Sequence, residues 1–472
     1  MTKSSPTVAV AGGGLAGLAA ACALADVGFR VTLFEKRPFL GGRASSYEHP
    51  GTGEVVDNCQ HVLFRLCTNL VEFYQRIGVA EHIRWYDEMT FIEPGGRTSS
   101  MKSSFLPAPL HTAPSFFGFS FLSAADKLSI ARALTPLTLT ERRDTGESFQ
   151  QWLEHHGQTK NAVDRFWRPI LVSALSEELD RISVSAAAQV VRESMKSRAA
   201  RHMGVPSIPL TDLYNAAGDY VRARGGVLHF RCPLESFTPE AAQVRVQVRG
   251  KDQREDAPGE TFDYLIVALP FDALDHVLPQ AAESEPLREK ISHFENSPIT
   301  GIHLWFDRQI SDLDHAVLLD RTIQWMFHKS RLQPIRTQAA SSTGSYIELV
   351  VSSSKTLIEK SRAEIVELAL AEVREFFPGA RPANLVKSAV IKEVNATYSP
   401  RPGIDVHRPG AITAWPRVFL AGDWTATGWP ATMEGAVRSG YLAAEALARA
   451  AGQSQRFISP DLPASGLMRL FA

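Results

Sequence analysis

The chain has 472 residues, of which 44% are hydrophobic and 21% are charged, a composition typical of a folded protein with more than one core. Lysine and arginine together number 50 and aspartate and glutamate 51, so the formal net charge is −1. Because nucleic-acid-binding proteins normally carry an excess of basic residues, this balance argues against a nucleic-acid partner. The same composition excludes disorder over most of the chain.

Cysteine usage and hydropathy bear on the compartment. The four cysteines form no C-x-x-C pair, so we expect neither a disulfide framework nor a metal site, and we infer a reducing compartment. The N-terminus leads into a glycine-rich turn rather than into a signal sequence, and no run reaches the ~18 apolar residues of a membrane span. We therefore expect a cytoplasmic protein, soluble or peripheral at the inner face of the cell membrane.

The chain opens with the pattern of a βαβ unit. A strand is predicted at 7–11, a glycine turn at 12–17, a small-residue helix to about residue 27 and a second strand at 29–34 that ends at Glu35. Helical periodicity dominates from about 86 to 203. The later elements are strands at 227–230, 244–248, 264–269, 299–306, 323–327, 346–352 and 418–421, and helices at 213–224, 361–376 and 433–450.

This order predicts an α/β fold with a Rossmann-like domain in separate pieces. Residues 1–85, 211–275 and 386–450 are assigned to the dinucleotide-binding domain. An inserted substrate domain is assigned to a helical part, 86–210, and a mixed-sheet part, 276–385. Residues 451–472 form a C-terminal tail.

The glycine turn has the spacing G-x-G-x-x-G at Gly12, Gly14 and Gly17. In a strand–turn–helix setting, the first glycine permits the tight turn, the second lets the backbone approach a pyrophosphate and the third lets the helix pack on the strand. Glu35 follows at the end of the next strand, where a carboxylate can accept from ribose hydroxyls. A glycine turn without a ligand is the alternative, and the strand, the spacing and Glu35 together argue against it.

Two further motifs favour FAD over NAD. Gly42 and Arg43 offer bare backbone and a cation to the pyrophosphate and the flavin edge, and Asp423 closes a predicted buried strand where it can accept from ribityl hydroxyls. The helix that opens at 431–433 places its N-terminal dipole to stabilise negative charge on a reduced flavin. The predicted FAD contacts are Gly12, Gly14, Leu15, Ala16, Gly17, Glu35, Lys36, Gly42, Arg43, Gly422, Asp423, Ala431, Thr432 and Met433.

These motifs, with the C-terminal run from Gly422-Asp423 to Ser439-Gly440, resemble the FAD-dependent amine oxidase and phytoene desaturase superfamily. The resemblance covers the chain to about residue 450. It implies an FAD enzyme with an inserted substrate domain, and it leaves the substrate open, because that superfamily acts on amines, porphyrinogens and carotenoid precursors.

The run Asp57-Asn58-Cys59-Gln60-His61 resembles one branch of that superfamily, the squalene-associated hydroxysqualene dehydroxylases of bacterial hopanoid synthesis. Cys59 stands where glycine is usual. The segment 423–434 is similar to the same branch. The resemblance implies an enzyme that reduces hydroxysqualene to squalene, with loss of water and consumption of reduced flavin. An unidentified electron donor would then be a partner.

Three residues of this run are candidates for catalysis. Loss of an allylic hydroxyl needs a general acid, and His61 is the first candidate, with Asp57 orienting it or stabilising charge and Gln60 binding the hydroxyl. The structural alternatives are that Asp57 satisfies backbone groups in the turn and that His61 only hydrogen-bonds the flavin. Cys59 is interpreted as a small packing residue rather than a nucleophile.

A long isoprenoid needs an apolar tunnel. The predicted substrate contacts are Asn58, Cys59, Trp305, Trp325, Phe327 and Trp429, and the strand aromatics among them could equally be core residues. Segment 105–122 contains five phenylalanines and several prolines without a charge. We interpret it as a tunnel mouth at a membrane surface, with a buried helical segment as the alternative.

Two rival functions remain open. A desaturase or amine oxidase keeps the fold and reverses the direction of hydride transfer, which a glycine loop does not specify. A non-catalytic isoprenoid-binding protein that retains FAD for structure is disfavoured by the intact segment 422–434.

Overall fold

The computed structural model describes residues 5–139, 144, 146–250, 259–333 and 344–470. Its first layer is a parallel sheet whose strands lie in the order Val227–Phe230, Arg30–Glu35, Thr7–Ala11, Tyr264–Val267 and Val418–Leu420. Strands Thr7–Ala11, Tyr264–Val267 and Val418–Leu420 are apolar and largely buried, as parallel strands covered on both faces must be, whereas the edge strand Val227–Phe230 has no fully buried residue. The predicted α/β class is confirmed, and the sheet draws its strands from both ends and the middle of the chain.

The first and last long helices pack together beside this sheet. Every residue from Leu15 to Ala25 in helix Leu15–Asp26 is buried, as in a helix enclosed on all sides. It packs on helix Met433–Ala450. A Cβ atom built on Gly440 would lie 2.2 Å from the Ala16 carbonyl oxygen, so the absent side chain sets how closely the helices approach. The start and the end of the chain thus form one unit.

The second layer is a mixed seven-stranded sheet. Its strands lie in the order Leu385–Tyr398, Asn296–Phe306, Ser345–Ser352, Trp325–Phe327, His315–Leu318, Glu88–Ile92 and Thr98–Lys102. Two stretches differ from their expected pattern. Residues 386–398, which are assigned from the sequence to the dinucleotide-binding part, pair along Asn296–Phe306 in this sheet, and the stretch expected to be helical from residue 86 begins with two strands of the same sheet. Strands rich in polar residues give weak apolar periodicity, so the sequence pattern does not reveal them.

Helices cover the rest of the molecule, and smaller sheets join the layers. The α-helices beyond the two above are Thr68–Arg76, Ala113–Gly118, Ala124–Leu139, Phe149–His155, Lys160–Ala162, Arg168–Leu175, Val184–Met195, Leu210–Arg222, Phe271–Val277, Glu285–Ser292, Lys329–Leu332, Lys355–Ile358 and Arg362–Phe376. The remaining strands are Ser46–Glu48, Val55–Asp57, Leu63–Phe64, Ile83–Tyr86, Met203–Pro206, Leu234–Pro239, Val244–Val248 and Glu260–Phe262. In the described part of the chain, none of these helices combines the length and apolarity needed to span a bilayer.

Candidate active site

A cavity of about 990 Å³ runs from the carboxyl ends of the parallel strands to the seven-stranded sheet and the helices around it. Ligands of doubly wound α/β folds bind at those strand ends, and a cavity of this size is at the upper end for small-molecule sites. Most predicted site residues line its wall: Gly12, Gly14, Leu15, Ala16, Glu35, Lys36, Gly42, Arg43, Asn58, Cys59, Gln60, His61, Trp325, Phe327, Gly422, Asp423, Trp429, Ala431, Thr432 and Met433. Three predicted residues, Gly17, Asp57 and Trp305, lie outside it.

The glycine turn has the shape that a dinucleotide requires. A Cβ atom on Gly14 would meet only the Cα atom of Gly42, at 3.8 Å, so bare backbone faces the cavity. A Cβ atom on Gly17 would lie 1.9 Å from the Gly12 carbonyl oxygen. Gly17 therefore serves the packing of helix on turn and does not contact the cavity, whereas Gly14 leaves room for a pyrophosphate at an uncapped helix N-terminus.

Glu35 is held in place by its own turn. One carboxylate oxygen accepts the Gly13 N–H at 2.6 Å and the other accepts the Arg37 N–H at 2.7 Å. Each carboxylate oxygen can accept more than one hydrogen bond, so this buried group keeps acceptor capacity toward the cavity it lines. That arrangement fits a ribose diol.

Arg43 joins the two ends of the cofactor region. Its Nη2 lies 2.7 Å from Asp423 Oδ1, and its Nη1 donates to the Ala396 carbonyl oxygen at 2.8 Å. Burial opposes the charged form of Arg43, but the Asp423 carboxylate outweighs it and raises the pKa of the guanidinium. The pair fixes a cation and a carboxylate in the cavity wall. The donors and acceptors predicted for a pyrophosphate and a ribityl chain are therefore present together.

The helix at residues 433–450 begins at the same wall, but one of its N-terminal groups is already satisfied. Thr432 Oγ1 accepts the Gly435 N–H at 3.1 Å. Glu434 is fully buried and turns away to accept from the N–H groups of Asn69 and Leu70. The helix N-terminus can still favour negative charge through its dipole, while Glu434 ties it to helix Thr68–Arg76.

Behind the wall at Asn58–His61 lies a buried ionic cluster. Lys329 Nζ donates to Asp57 Oδ2 at 2.5 Å and to Gln60 Oε1 at 2.8 Å, and it lies 3.4 Å from Glu348 Oε2. Ser46 Oγ and the Leu210 N–H donate to the other oxygen of Asp57. Asp57 thus holds Lys329 and does not orient His61, which corrects the predicted role.

The ionisation of this cluster follows from its burial and its contacts. Burial alone would raise the pKa of Asp57, but Lys329 and Ser46 bring it below its ordinary value. Burial raises the pKa of Glu348 to about 8, with Lys329 opposing and Asp57 adding to that shift. The pKa of Lys329 is raised because its two carboxyl neighbours outweigh its burial.

His61 is suited to accept a proton rather than to donate one. Its Nδ1 lies 2.7 Å from the Cys59 carbonyl oxygen, so Nδ1 carries the proton and Nε2 is left with a lone pair in the neutral ring. Burial lowers the pKa of His61, which keeps the ring neutral. This argues against the predicted role as a general acid. Gln60 is also engaged, because its Nε2 donates to the His61 carbonyl oxygen at 2.9 Å.

The far part of the cavity is apolar. Trp325 and Phe327 stack with ring centroids 5.5 Å apart, and the Trp325 indole donates to Ser173 Oγ at 2.9 Å. Apolar side chains complete this wall: Phe91, Met101, Phe116, Phe166, Ile170, Val317 and Val350. Trp305 instead stacks on Tyr346, with ring centroids 4.2 Å apart, and does not line this cavity, so the structure does not place it at the predicted substrate wall.

Segment 105–122 is divided between core and surface. Phe116, Phe119 and Phe121 are buried, as the helical-core alternative predicts. Phe105 and Phe117 are 87% and 62% exposed, and Phe117 also lines the cavity. Leu110 is half exposed at the same opening, so apolar side chains surround an entrance into an apolar cavity.

These features define a dinucleotide-binding site joined to an apolar cavity. The model of the flavin-containing amine oxidoreductase family matches residues 15–448, and the chain belongs to that family. FAD is its cofactor. The open backbone at Gly14, the acceptors of Glu35 and the Arg43–Asp423 pair are the residues that fit this group.

Similar proteins include carotenoid desaturases. The chain is 26% identical over 471 residues to the 15-cis-phytoene desaturase of Synechococcus elongatus, covering 95% of this chain and 97% of that protein. It is 26% identical over 473 residues to the zeta-carotene desaturase of Synechocystis, covering 93% and 96%. Among solved structures, a putrescine oxidase bound to putrescine has a TM-score of 0.70 at 16% identity, covering 95% of this chain and 98% of that one. The structural likeness concerns the fold.

Proposed function

We propose that this protein is an FAD-dependent oxidoreductase that moves hydride between its flavin and a long isoprenoid lipid. The observation that carries the proposal is the continuous cavity, which joins the cofactor residues to an apolar wall at Trp325, Phe327 and Phe116. Full-length relatives named as phytoene and zeta-carotene desaturases support a lipid rather than an amine. When bound, FAD supplies the hydride-accepting or hydride-donating chemistry.

Desaturation is the direction that these relatives support. Forming a carbon–carbon double bond removes a hydride from one carbon and a proton from its neighbour, and the proton needs a base in a site that excludes water. Neutral His61 is our candidate for that base. Its Nδ1–H donates a hydrogen bond to the Cys59 carbonyl oxygen, which leaves the lone pair of Nε2 free to accept the proton. The apolar wall binds and orients the chain.

Reductive dehydroxylation of hydroxysqualene to squalene is the second candidate. The resemblance of Asp57–His61 and of segment 423–434 to hydroxysqualene dehydroxylases favours it. In this direction hydride goes to the carbon that loses the hydroxyl, which leaves as water after taking up a proton. The half-buried His61, whose pKa is lowered by desolvation, does not supply that proton readily, so the acid must be another group or water.

An anaerobic experiment separates the two directions. Oxidised holoprotein is mixed with phytoene, photoreduced holoprotein is mixed with hydroxysqualene, and flavin absorbance is followed while lipids are extracted for mass analysis. Bleaching of oxidised flavin with a product two hydrogens lighter establishes desaturation. Reoxidation with stoichiometric squalene establishes dehydroxylation. Unchanged flavin in both mixtures, with lipid binding confirmed, contradicts the proposal.

We further propose that the entrance rests on a membrane, because these lipids partition into bilayers. Exposed Leu110 and Phe117 at the cavity wall would enter the interfacial layer. Exposed Phe105, on the same segment, and Leu467, whose N–H donates to the Ala108 carbonyl oxygen, would extend this apolar surface. The cytoplasmic face of a cell membrane is the proposed location. The electron partner of the flavin is a separate molecule.

A further inference from the structure

The buried cluster behind the cavity wall contains two carboxyl groups but only one ammonium group. Lys329, Asp57 and Glu348 are each at most 2% exposed in their side chains. Two carboxylates and one ammonium would leave an uncompensated negative charge, and isolated buried charges are strongly disfavoured. One of the two carboxyl groups must therefore hold a proton.

The hydrogen bonds of Asp57 and Glu348 indicate which of the two carboxyl groups holds the proton. Asp57 receives donors from Lys329, Ser46 and the Leu210 N–H, which stabilise its ionised form. Glu348 is less well supported: no hydrogen bond of good geometry reaches its carboxyl oxygens from the described residues, and only the Gln60 N–H and Lys329 Nζ, which is 3.4 Å away, lie close enough to favour its ionised form. Glu348 is thus the protonated member at neutral pH, in agreement with its pKa of about 8.

Gln60 connects this cluster to the cavity. Its Oε1 accepts from Lys329 Nζ and its Nε2 donates to the His61 carbonyl oxygen. If the Gln60 amide rotated by half a turn, its NH₂ group would face the Lys329 ammonium, and two donors would meet. Lys329 therefore keeps Oε1 of Gln60 toward itself and Nε2 toward the His61 carbonyl oxygen. The orientation of Gln60, in turn, holds the backbone that carries His61.

We propose that Lys329 is a positioning residue: its ammonium, held between Asp57 and the proton-bearing Glu348, fixes the Gln60 amide and through it the Asn58–His61 segment of the active-site wall. The effect of Lys329 on turnover rests on the proposed function, whereas its effect on the position of Gln60 does not. Lys329, Asp57 and Glu348 do not themselves line the cavity, and Lys329 reaches the cavity wall through its hydrogen bond to Gln60.

Loss of the Glu348 proton would disturb this arrangement. A second carboxylate would then compete with Asp57 and Gln60 for the protons of one ammonium, and the hold on Gln60 would weaken. The titratable groups that face Glu348 come from three neighbouring elements: Asp57 and Cys59 on the wall segment, Lys329 on its helix and His303 opposite it on the adjacent strand. Burial lowers the pKa of His303 to about 3 and raises that of Cys59, so neither takes up the charge at neutral pH.

The test uses purified holoprotein without any lipid. Infrared spectra report the carbonyl band of a protonated carboxyl group, and the visible spectrum of bound FAD reports the cavity wall, between about pH 6.5 and 9.5. We expect the wild type to lose the infrared band and shift its flavin spectrum with one midpoint near 8. Glu348→Gln, which mimics the protonated side chain, should lack both changes and retain the wild-type flavin spectrum of pH 7.

Controls separate this role from simple structural support. Glu372→Gln replaces another buried glutamate, whose carboxylate accepts the N–H groups of Thr322 and Ile323 away from the cavity, and it should leave both titrations unchanged. If Glu348→Gln does not fold, Glu348→Leu gives the same comparison with an apolar side chain. A flavin shift that persists in the Glu348 variant, or a wild-type spectrum that is constant with pH, overturns the proposal. Neither the infrared band nor the flavin spectrum requires turnover. A negative result in the lipid experiment would therefore contradict the proposed function without affecting this test.

Discussion

Arg43 Nη2 lies 2.7 Å from Asp423 Oδ1, although the two residues are 380 positions apart in the chain. Arg43 follows the second strand of the parallel sheet, and Asp423 follows its edge strand Val418–Leu420. The pair is partly shielded from water, with 32% and 8% of the side chains exposed. It therefore fixes the distance between the two halves of the cofactor site.

Removing one member of this pair should weaken cofactor binding. Arg43→Met keeps the apolar stem but leaves the mostly buried Asp423 without its partner, and a lost charged hydrogen bond costs roughly 1.5–3 kcal/mol. We expect FAD to bind about 10- to 100-fold more weakly, measured by flavin fluorescence on titration of apoprotein. Arg245→Met breaks a surface pair with Glu240 and should bind FAD as the wild type does. Equal affinities for both variants would contradict a cofactor role for Arg43.

Two glycines of one turn should fail in different ways. Gly14→Ala places its Cβ atom no closer than 3.8 Å to other atoms, so the apoprotein should keep its Tm while FAD is excluded by the new methyl group. Gly17→Ala forces a contact of 1.9 Å with the Gly12 carbonyl oxygen and should lower stability by about 1–3 kcal/mol or more. Thermal unfolding of the apoproteins and flavin content after reconstitution check both. A destabilised Gly14→Ala apoprotein would show that this position serves packing.

The pH dependence of turnover tests His61 as a base. Since burial lowers its pKa, the ring stays neutral, and able to accept a proton, to a lower pH than an ordinary histidine. We expect the acidic limb of kcat/KM to fall below the ordinary histidine pKa of about 6.5. His61→Gln should reduce kcat by about 10²–10⁴-fold and abolish that limb. An acidic limb that survives in the variant would assign the proton transfer elsewhere.

The apolar entrance predicts membrane binding. The double substitution Phe105→Ser and Phe117→Ser removes two strongly exposed aromatic side chains and should release the protein from liposomes in a co-sedimentation assay, with little change in Tm. Val406 and Ile412 are equally exposed but lie in the C-terminal region outside the cavity wall, so replacing both by serine is the matched control. Retention of the Phe variant on liposomes, or release of the control alone, would exclude this surface.

Much of the fold follows from local patterns. Strand Thr7–Ala11, strand Val227–Phe230 and helix Met433–Ala450 match the predicted bounds, because each has a regular apolar pattern with turn residues at its ends. Strand Leu385–Tyr398 was not predicted. Its burial does not alternate, because the buried residues 389–391 lie in a row between exposed Val386 and Val394, so it takes its strand structure from pairing along Asn296–Phe306.

The residues of the candidate site also fall into those that lie in local sequence motifs and those that only the fold brings together. The short motifs around Gly14, Glu35, Arg43 and Asp423 could be located from the sequence because the geometry of each is local, and their contacts with FAD remain a prediction. Lys329 and Glu348 were missed because they belong to no motif and meet Asp57 only in the folded chain. One signal was present: Glu348 interrupts the apolar strand Ser345–Ser352, and a charged residue in a buried strand needs a partner. The partner's identity depends on sheet order, which the sequence pattern does not give.

The packing of helix Leu15–Asp26 on helix Met433–Ala450 has a consequence during synthesis. A ribosome exposes the glycine turn long before it makes strand Val418–Leu420 and the helix that covers Ala16. A nascent chain therefore carries only part of the cofactor pocket, with an uncovered apolar helix, until residues 418–450 have been made. We expect FAD to bind only after that point, because Asp423 and the start of the last long helix complete the pocket wall.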